Sequence, residues 1–385
     1  MTQVVVSGAI ANKPQNGGEA WVRLSWLLGL QRLGCNAIFL EQLDEVAGVS
    51  SADHADYERS LEVQYFKLVA RQFGLERSAC LITGSGEHIA GMSDADVQRF
   101  VEGADVLINI SGHLTVQAIK DRIPIKVYVD LDPGFTQFWQ AQGHLGGRLK
   151  GYDYYYTVGE NIGANFCSIP TVGLDWRPVR QPVVLDQWPV VKTKDCGQLT
   201  TIAGWRGAFG PIQDGAKTYG LKVHQFRRFI ELPRLADSIF ELALDIDPAD
   251  EHDVQLLSKN GWRLVDPKQA AGDPLRFRSY VQQSAAEFSV AQGVYVDTLS
   301  GWFSDRTVRY LASGKPALVQ DTGFSRNLPV GAGLLTFTTL EEAVAGTDAI
   351  AANYEGHCRA ARSIAEEYFD SNKVLGTLLE EIGVR

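Results

Sequence analysis

A short polar turn in the second half of the chain is well suited to bind an anion. It reads Ser300, Gly301, Trp302, Phe303, Ser304, Asp305 and Arg306. Ser304 and Asp305 are common helix caps, so the pattern predicts a helix from Asp305 to Ser313. The first turn of a helix offers unpaired backbone N–H groups and a partial positive charge, which favour a phosphate. Arg306 in that turn is predicted to grip two phosphate oxygens. The alternative is an exposed arginine in an ordinary α/β crossover.

Two more basic side chains follow predicted strands in the same half. Arg206 stands in Gly204-Trp205-Arg206-Gly207, directly after an apolar run, and Lys222 lies in the first turn of a predicted helix. In doubly wound sheets, ligands bind outside the carboxyl ends of the strands. We therefore predict that Arg206, Lys222 and Arg306 converge on one diphosphate site. For each of them alone, a solvated surface position is the alternative.

Three side chains in the first half could accept a proton at the ends of predicted strands. His113 follows the apolar run 106–110, and Asp130 and Asp132 follow the run 125–129. A neutral histidine accepts a proton readily, and a carboxylate at a buried strand end needs partners. The order of preference for a general base is Asp130, His113, Asp132. The alternatives are a capping or core position for His113 and, for Asp132, the cap of a helix with Pro133 at its first position.

Short apolar runs alternate with helical patterns along the chain, which predicts an α/β protein with doubly wound parallel sheets. The predicted strands of the first half are 4–7, 37–40, 106–110, 125–129 and 154–158, of which the last closes the first domain. Those of the second half are 199–203, 239–243, 262–265, 293–297 and 317–320. Four prolines interrupt residues 168–190, which we interpret as a linker.

The composition favours an ordinary enzyme of the cytoplasm. The chain has 385 residues, which suits two domains, and a net charge of −10, which disfavours nucleic acid and anionic membranes as partners. No apolar run approaches 18 residues and the N-terminus has no basic, leader-like segment, so neither an integral membrane segment nor a secretory signal is expected. Five cysteines without CxxC spacing indicate a reducing compartment and no zinc site.

Several blocks of the sequence resemble a bacterial family of GT-B glycosyltransferases, of the glycosyltransferase 1/4-like kind. The blocks are Ser300 to Arg306, Ala312 to Pro316, Gln320 to Phe324, Gly204 to Gly207, Tyr219 to Lys222 and Tyr128 to Gly134. The resemblance is strongest over residues 195–370. It implies two Rossmann-like domains facing across a cleft: an acceptor-side domain 1–180 and a nucleotide-sugar-binding domain 181–365. It also implies that the helix in 366–385 returns to the first domain.

One departure from related enzymes concerns the mechanism. Many retaining GT-B enzymes carry two glutamates with seven residues between them, and Gly301 and Arg309 stand at those places here. The absence of this glutamate pair weakly favours a mechanism that inverts the anomeric configuration of the sugar. The Asp130-Leu131-Asp132 sequence has the spelling of a metal-binding D-x-D motif, but it lies in the first half, away from the predicted phosphate site, so no metal is expected.

The sequence therefore predicts transfer of a hexosyl or pentosyl group from a nucleotide diphosphate sugar to an acceptor, a small molecule or glycan, without a metal or permanently bound cofactor. The nucleobase of the donor is expected to bind near Val265, and Glu287 is expected to contact the donor or support its site. The residues predicted to bind the donor are Trp205, Arg206, Gly207, Lys222, Val265, Glu287, Ser300, Gly301, Ser304, Asp305 and Arg306. The alternatives are an epimerase or hydrolase of the same fold, a non-catalytic nucleotide-sugar sensor, and modification of a nucleic-acid base.

Overall fold

Two parallel sheets organise the chain in the computed structural model, which describes residues 1–43, 58–193 and 197–384. The first sheet contains β1 Gln3–Ser7, β2 Asn36–Gln42, β3 Ala79–Ile82, β4 His88–Gly91, β5 Val106–Ile110, β6 Ile125–Asp130, β7 Tyr154–Thr157 and β8 Trp176–Pro178. Their order across the sheet is β4-β3-β2-β1-β5-β6-β7-β8. Only the β3–β4 pair is antiparallel among these described strands.

The second sheet is parallel throughout its described strands. It contains β9 Gln198–Gly204, β12 Ile239–Asp245, β13 Arg263–Val265, β14 Ala286–Ser289, β15 Ala317–Gln320 and β16 Leu334–Phe337, in the order β13-β12-β9-β14-β15-β16. A separate antiparallel hairpin consists of β10 Ile212–Asp214 and β11 Lys217–Tyr219. In both sheets the order reverses beside the first strand, β1 or β9, and such a switch point opens a crevice for ligands.

Helices cover both faces of the sheets. In the first part of the chain they are α1 Gly17–Arg32, α2 Leu61–Gln72, α3 Asp94–Glu102, α4 Gln117–Lys120 and α5 Phe135–Ala141. Next come α6 Lys222–Phe226, α7 Leu232–Leu235, α8 Glu251–Lys259, α9 Pro267–Ala271, α10 Pro274–Gln283, α11 Gly293–Asp297 and α12 Asp305–Ala312. The last are α13 Leu340–Ala352, α14 Tyr354–Tyr368 and α15 Ser371–Glu381.

Burial on both faces explains why the strand sequences are almost continuously apolar. Every residue of β5 is buried, as are the four residues of β15, which is the pattern of parallel strands between two helical layers. One buried cluster extends from β1 and α1 through Trp188 to α12 and the C-terminal helices. The two domains therefore share part of their core rather than meeting only at their surfaces.

Two predicted strands differ from the structure. Residues 293–297 form helix α11 instead of a strand, and the strand of that unit is β14, four residues earlier. The β-branched sequence favours a strand, but Gly293 packs directly on the backbone of Gly220, where a Cβ would lie 2.5 Å from the carbonyl oxygen. Tertiary packing overrides propensity here. In the first sheet, β7 is not the last strand, because Trp176–Pro178 pairs with it as β8 inside the proline-rich stretch.

The C-terminal helix α15 packs on the first domain. The Tyr156 hydroxyl of β7 donates a 2.7 Å hydrogen bond to Glu381. A Cβ added at Gly29 of α1 would lie 2.6 Å from Leu375, so the two helices touch closely. Backbone hydrogen bonds also join Val183 to Phe369, just before α15, and to Ser371, the first residue of α15. These contacts tie the end of the chain to its beginning.

The two domains also meet directly at the mouth of the cleft. Gly17, the first residue of α1, lies so close to the second domain that a Cβ would stand 2.2 Å from the Asp273 carbonyl oxygen. The Trp21 indole of the same helix donates a 2.7 Å hydrogen bond to the Pro274 carbonyl. Glycine is required at position 17 by this approach of two backbones.

Candidate functional site

The cleft lies where both sheets reverse their strand order. Loops after β1, β5 and β6 line it from the first domain, and the loop after β9 and the turn before α12 line it from the second. Two cavities occupy it, one of about 710 Å³ and one of about 300 Å³. Glu19, Ala208 and Asp305 belong to the walls of both. The two cavities therefore meet at these three residues.

The larger cavity brings the predicted cations together. Arg206, Lys222 and Arg306 all line it. The beginning of α12, at Asp305, and the beginning of α1, at Gly18 and Glu19, lie in the same wall. The N-terminal ends of two helices, of 16 and 8 residues, thus point into a cavity that these three cations and Lys268 line, an arrangement that favours an anion.

Arg306 is held by the protein on three sides. Its Nε donates to Glu287 at 2.7 Å, and its two terminal nitrogens donate to the Ile202 carbonyl at 2.7 Å and the Ser289 hydroxyl at 2.6 Å. A guanidinium has five N–H groups, so three are committed and two remain. The guanidinium is therefore a fixed charge, and the predicted grip on two phosphate oxygens, which its two remaining N–H groups would have to make, stays a prediction.

Lys222 is a half-buried cation of this cavity with no ion-pair partner in the described residues. No hydrogen bond to its ammonium occurs within the ranges 1–43, 58–193 and 197–384. Burial, together with the nearby charge of Arg306, lowers its pKa to about 7, against the opposing effect of Glu287 and Asp305. A lysine in this state gains a full charge when an anion enters.

Arg206 and Trp205 contribute in different ways. The Arg206 guanidinium forms a two-point ion pair with Asp250, with Nε to Oδ2 at 2.8 Å, and its side chain is 53% exposed toward the cavity. The Trp205 indole is buried in the core of the second domain and donates to Asp253 at 2.8 Å. Its side chain cannot stack on a ligand, so only its backbone reaches the cavity together with Gly207.

Five of the residues predicted to bind the donor do not line the larger cavity. Val265 ends β13 away from the wall, where Pro267 and Lys268 stand instead. Glu287 is fully buried and positions Arg306. Ser304 is buried at the N-cap of α12. The remaining two, Ser300 and Gly301, pack against Asn161 of the first domain, which makes their turn an interdomain contact.

The smaller cavity lies on the first domain and contains two of the three predicted bases. His113 and Asp132 line it, whereas Asp130 does not. Asp130 is 1% exposed and its oxygens accept four hydrogen bonds, from Thr136, Gln137, Thr157 and the Asp132 backbone. This carboxylate fixes the end of β6. With its oxygens engaged and shielded, it is not available to an acceptor, which reverses the predicted order of preference.

Asp132 has the environment of a titrating group. Burial raises its pKa to about 7, and the nearby charges of Asp130 and Glu19 act in the same direction. The Tyr295 hydroxyl donates to its Oδ1 at 3.3 Å. Asp132 is not the side-chain cap of the following helix, because α5 begins later, at Phe135, with Gly134 at the N-cap.

His113 is neutral in this cavity. Burial lowers its pKa to about 3, and the positive charges of Arg23, Arg148 and Lys13 act in the same direction. The residue is half-buried in the wall rather than in the core. A neutral imidazole can accept a hydrogen bond from a hydroxyl, but so low a pKa makes it a weak base.

Glu19 at the junction of the cavities was not among the predicted site residues. Burial raises its pKa, but the charges of Arg23 and Lys13 outweigh that effect and lower it overall. Arg23, one turn further along α1, forms an ion pair with it. The sequence signal was present in the loop 15–19 at the start of α1, but position alone did not show that this carboxylate reaches both cavities.

The described part of the chain has no candidate metal centre. Within 1–43, 58–193 and 197–384, no group of three or more His, Cys, Asp or Glu side chains could hold a metal ion. Cys80, Cys167 and Cys358 are free thiols, and Cys196 lies outside the described residues. No helix in that part of the chain is long and apolar enough to cross a membrane.

Comparisons with known proteins identify the fold. No protein-family model and no curated protein matches the sequence. Among solved structures, HepE of Anabaena in complex with UDP is 12% identical over 100% of both chains, with a TM-score of 0.60. An α-glucosyltransferase in complex with UDP is 11% identical over 98% of this chain and 99% of its own, with a TM-score of 0.62. A sucrose-phosphate synthase of Thermosynechococcus elongatus is 12% identical over 99% of both chains, with a TM-score of 0.58. The chain has the GT-B fold.

Proposed function

We propose that the protein transfers a sugar from a nucleotide diphosphate sugar to an acceptor, with the donor in the larger cavity and the acceptor in the smaller one. The observation that carries this proposal is the junction of the two cavities at Glu19, Ala208 and Asp305. A transferase must bring two substrates to one point while keeping separate sites for the rest of each. In this assignment the domain 1–180 binds the acceptor, 181–365 binds the donor, and 366–385 returns to the first domain.

The charges of the larger cavity suit a leaving diphosphate. Glycosyl transfer builds positive charge at the anomeric carbon and negative charge on the leaving group. Lys222, Arg206 and the N-terminal end of α12 would stabilise that negative charge without a metal. Arg306 supports them as a fixed charge held by Glu287. The α-glucosyltransferase and HepE structures hold UDP, and this supports a uridine diphosphate sugar as the first donor to test.

The base that accepts the acceptor's proton is, in this proposal, Asp132. Its pKa of about 7 balances two needs, because the carboxylate is ionised in a large fraction of molecules and still accepts a proton readily. Glu19 remains ionised and lies at the junction, where its charge would favour a cationic anomeric carbon. Two carboxylates with separated pKa values in one cleft are typical of divided acid–base and electrostatic roles.

The test begins with binding. UDP, GDP, ADP, TDP and the free nucleosides are titrated into the protein by calorimetry, and one diphosphate should bind at least tenfold tighter than its nucleoside. The corresponding nucleotide glucose is then incubated with the protein, and release of the nucleoside diphosphate is measured with and without an acceptor mixture. If no nucleotide binds, the proposal fails.

Two rival functions of the same fold give different results in this test. A hydrolase releases the diphosphate at the same rate with or without an acceptor, and an epimerase changes the sugar without releasing it. A non-catalytic sensor binds the nucleotide sugar and leaves it intact. Asp132→Asn, which preserves shape and removes the base, should then leave donor binding unchanged and slow only transfer.

A further inference from the structure

We propose that the acceptor bound in the smaller cavity is a small molecule that carries a ring and an anionic group, either a carboxylate or a phosphate. This inference rests on the proposed function, which assigns the acceptor to that cavity. It is carried by the charges of the cavity wall, by its aromatic side chains and by its size.

Three basic side chains, Lys13, Arg23 and Arg148, and three carboxylates line the smaller cavity, but Arg309 from outside the wall compensates one of the carboxylates, so the local balance is positive. Each carboxylate has a partner: Glu19 pairs with Arg23, and Asp305 pairs with Arg309 at 2.8 Å. The third, Asp132, accepts from the Tyr295 hydroxyl and is close to half protonated at neutral pH.

The cations Lys13 and Arg148, by contrast, have no carboxylate partner at ion-pair distance in residues 1–43, 58–193 and 197–384. An uncompensated pair of cations in a cleft attracts an anion, and it does so here in a chain with a net charge of −10.

Both cations act on the interior of the cavity. The charges of Arg148 and Lys13 reach His113, whose pKa they help to lower after the larger effect of burial. They belong to different elements, since Lys13 follows β1 and Arg148 lies in the turns between α5 and β7. Neither lines the larger cavity, which has its own cations. They are therefore available to the acceptor and not to the donor's diphosphate.

Aromatic side chains form another part of the wall. Trp139, Phe209 and Trp302 line the cavity. The Phe209 ring meets the Trp139 ring across the cleft, with centroids 4.8 Å apart and planes at 88°. Trp302 is stacked on Tyr295 at 4.5 Å and 22°, which holds its ring in place. Flat, fixed aromatic faces beside a few convergent charges are typical of sites for ring-bearing small molecules.

The volume of the cavity sets the scale of this molecule. About 300 Å³ lies at the lower end of the range for small-molecule pockets. One ring with its substituents fills such a space, and a nucleic-acid chain does not fit inside it. The competing arrangement is a nucleic-acid strand that lies over the mouth of the cavity and touches Arg148. The net negative charge of the protein opposes it.

The experiment compares matched anionic and neutral probes on the full chain loaded with UDP. One pair is 4-hydroxybenzoate and 4-hydroxybenzamide, which differ only in the charged group. The other pair is glucose 6-phosphate and glucose, which tests a phosphate on a sugar ring. Calorimetry should show at least one anionic probe binding tenfold or more tighter than its neutral partner, and the pair that does so distinguishes a carboxylate from a phosphate.

Variants locate the effect. Lys13→Gln combined with Arg148→Gln should reduce the preference for the anion to within about twofold, whereas Lys150→Gln should keep it. Lys150 is the matched control because it is an exposed cation two residues from Arg148 and does not line the cavity. Thermal unfolding of each variant verifies that the fold is intact.

Several outcomes overturn the inference and leave the proposed function standing. In each of them UDP still binds. Either no anionic probe binds more tightly than its neutral partner, or no probe binds at all, or the double variant keeps the preference for the anion. Binding of a single-stranded oligonucleotide that depends on Lys13 and Arg148, without binding of the small anions, also overturns it. Failure of UDP and every other nucleotide to bind removes the proposed function itself.

Discussion

Binding of UDP should be accompanied by the uptake of nearly one proton at pH 8, and the proton should go to Lys222. In the free protein the pKa of this lysine is lowered to about 7, first by burial and then by the charge of Arg306. About a tenth of the molecules therefore carry the charge at pH 8. A diphosphate beside the ammonium restores a pKa of about 10 or more, so roughly 0.9 proton is taken up.

Calorimetry in two buffers measures this number directly. The observed enthalpy of binding changes with the ionisation enthalpy of the buffer, for example HEPES against Tris, and the slope is the number of protons taken up. UDP contributes little at pH 8, because the second pKa of its terminal phosphate is about 6 and that group is already ionised. By linkage, the dissociation constant of UDP should increase nearly tenfold per pH unit between about pH 8 and 9.5.

Two variants assign the proton. Lys222→Gln should bind UDP with an enthalpy independent of the buffer and with a flat pH dependence over the same range. Lys268→Gln is the matched control, since it removes an exposed lysine of the same cavity and should leave the uptake in place. The reasoning is refuted if the wild-type protein binds UDP without proton uptake, or if Lys222→Gln keeps the uptake.

Four further predictions concern catalysis and stability. If Asp132 is the base, a pH–rate profile should show the rate of transfer rising with pH through about 7, as its carboxylate forms. Asp132→Asn should lose this rise and lower turnover by about 10², while the affinity for the donor stays constant. Asp130→Asn should instead lower the unfolding temperature, because it disturbs a carboxylate with four hydrogen bonds; a normal melting curve with lost turnover would contradict its structural role. Glu287→Ala should lower the free energy of unfolding by about 3–5 kcal/mol, since it leaves Arg306 without its buried partner, and denaturant titration measures this. Transfer should continue in excess EDTA, and loss of activity that Mg²⁺ or Mn²⁺ restores would contradict the proposed metal-free stabilisation of the leaving group.

The strands were predictable where an uninterrupted apolar run determines burial on both faces. The bounds of β5 and β15 agree with the prediction to the residue. The same rule was wrong at 293–297, because a strand-like sequence there forms a helix packed on Gly220. Local composition cannot show a contact made by a residue more than seventy positions earlier in the chain.

The sequence indicated which cations lie together in the candidate site, but it did not indicate which residues form hydrogen bonds and ion pairs there. Arg206, Lys222 and Arg306 were expected to share one site because each follows a strand or begins a helix, and they do line one cavity. That Asp130 is saturated by hydrogen bonds depends on Thr136 and Gln137 of α5 and on Thr157, which reaches it only when β7 pairs with β6. Lys13, Arg148 and Phe209 carry no motif, so their convergence on the smaller cavity is visible only in three dimensions.

The close backbone contact at Gly17 is possible only because this residue has a hydrogen atom in place of a side chain, so the angle between the domains depends on it. Any larger substituent at that α-carbon meets the carbonyl oxygens of Asp273 and Ala271, at 2.2 and 2.8 Å from the Cβ position, and no side-chain rotation relieves the overlap. Gly17→Ala thus acts as a wedge between the N-terminal end of α1 and the second domain. Since Glu19 on the same helical turn joins the two cavities, a methyl group at residue 17 would pull the two cavities apart without lining either of them.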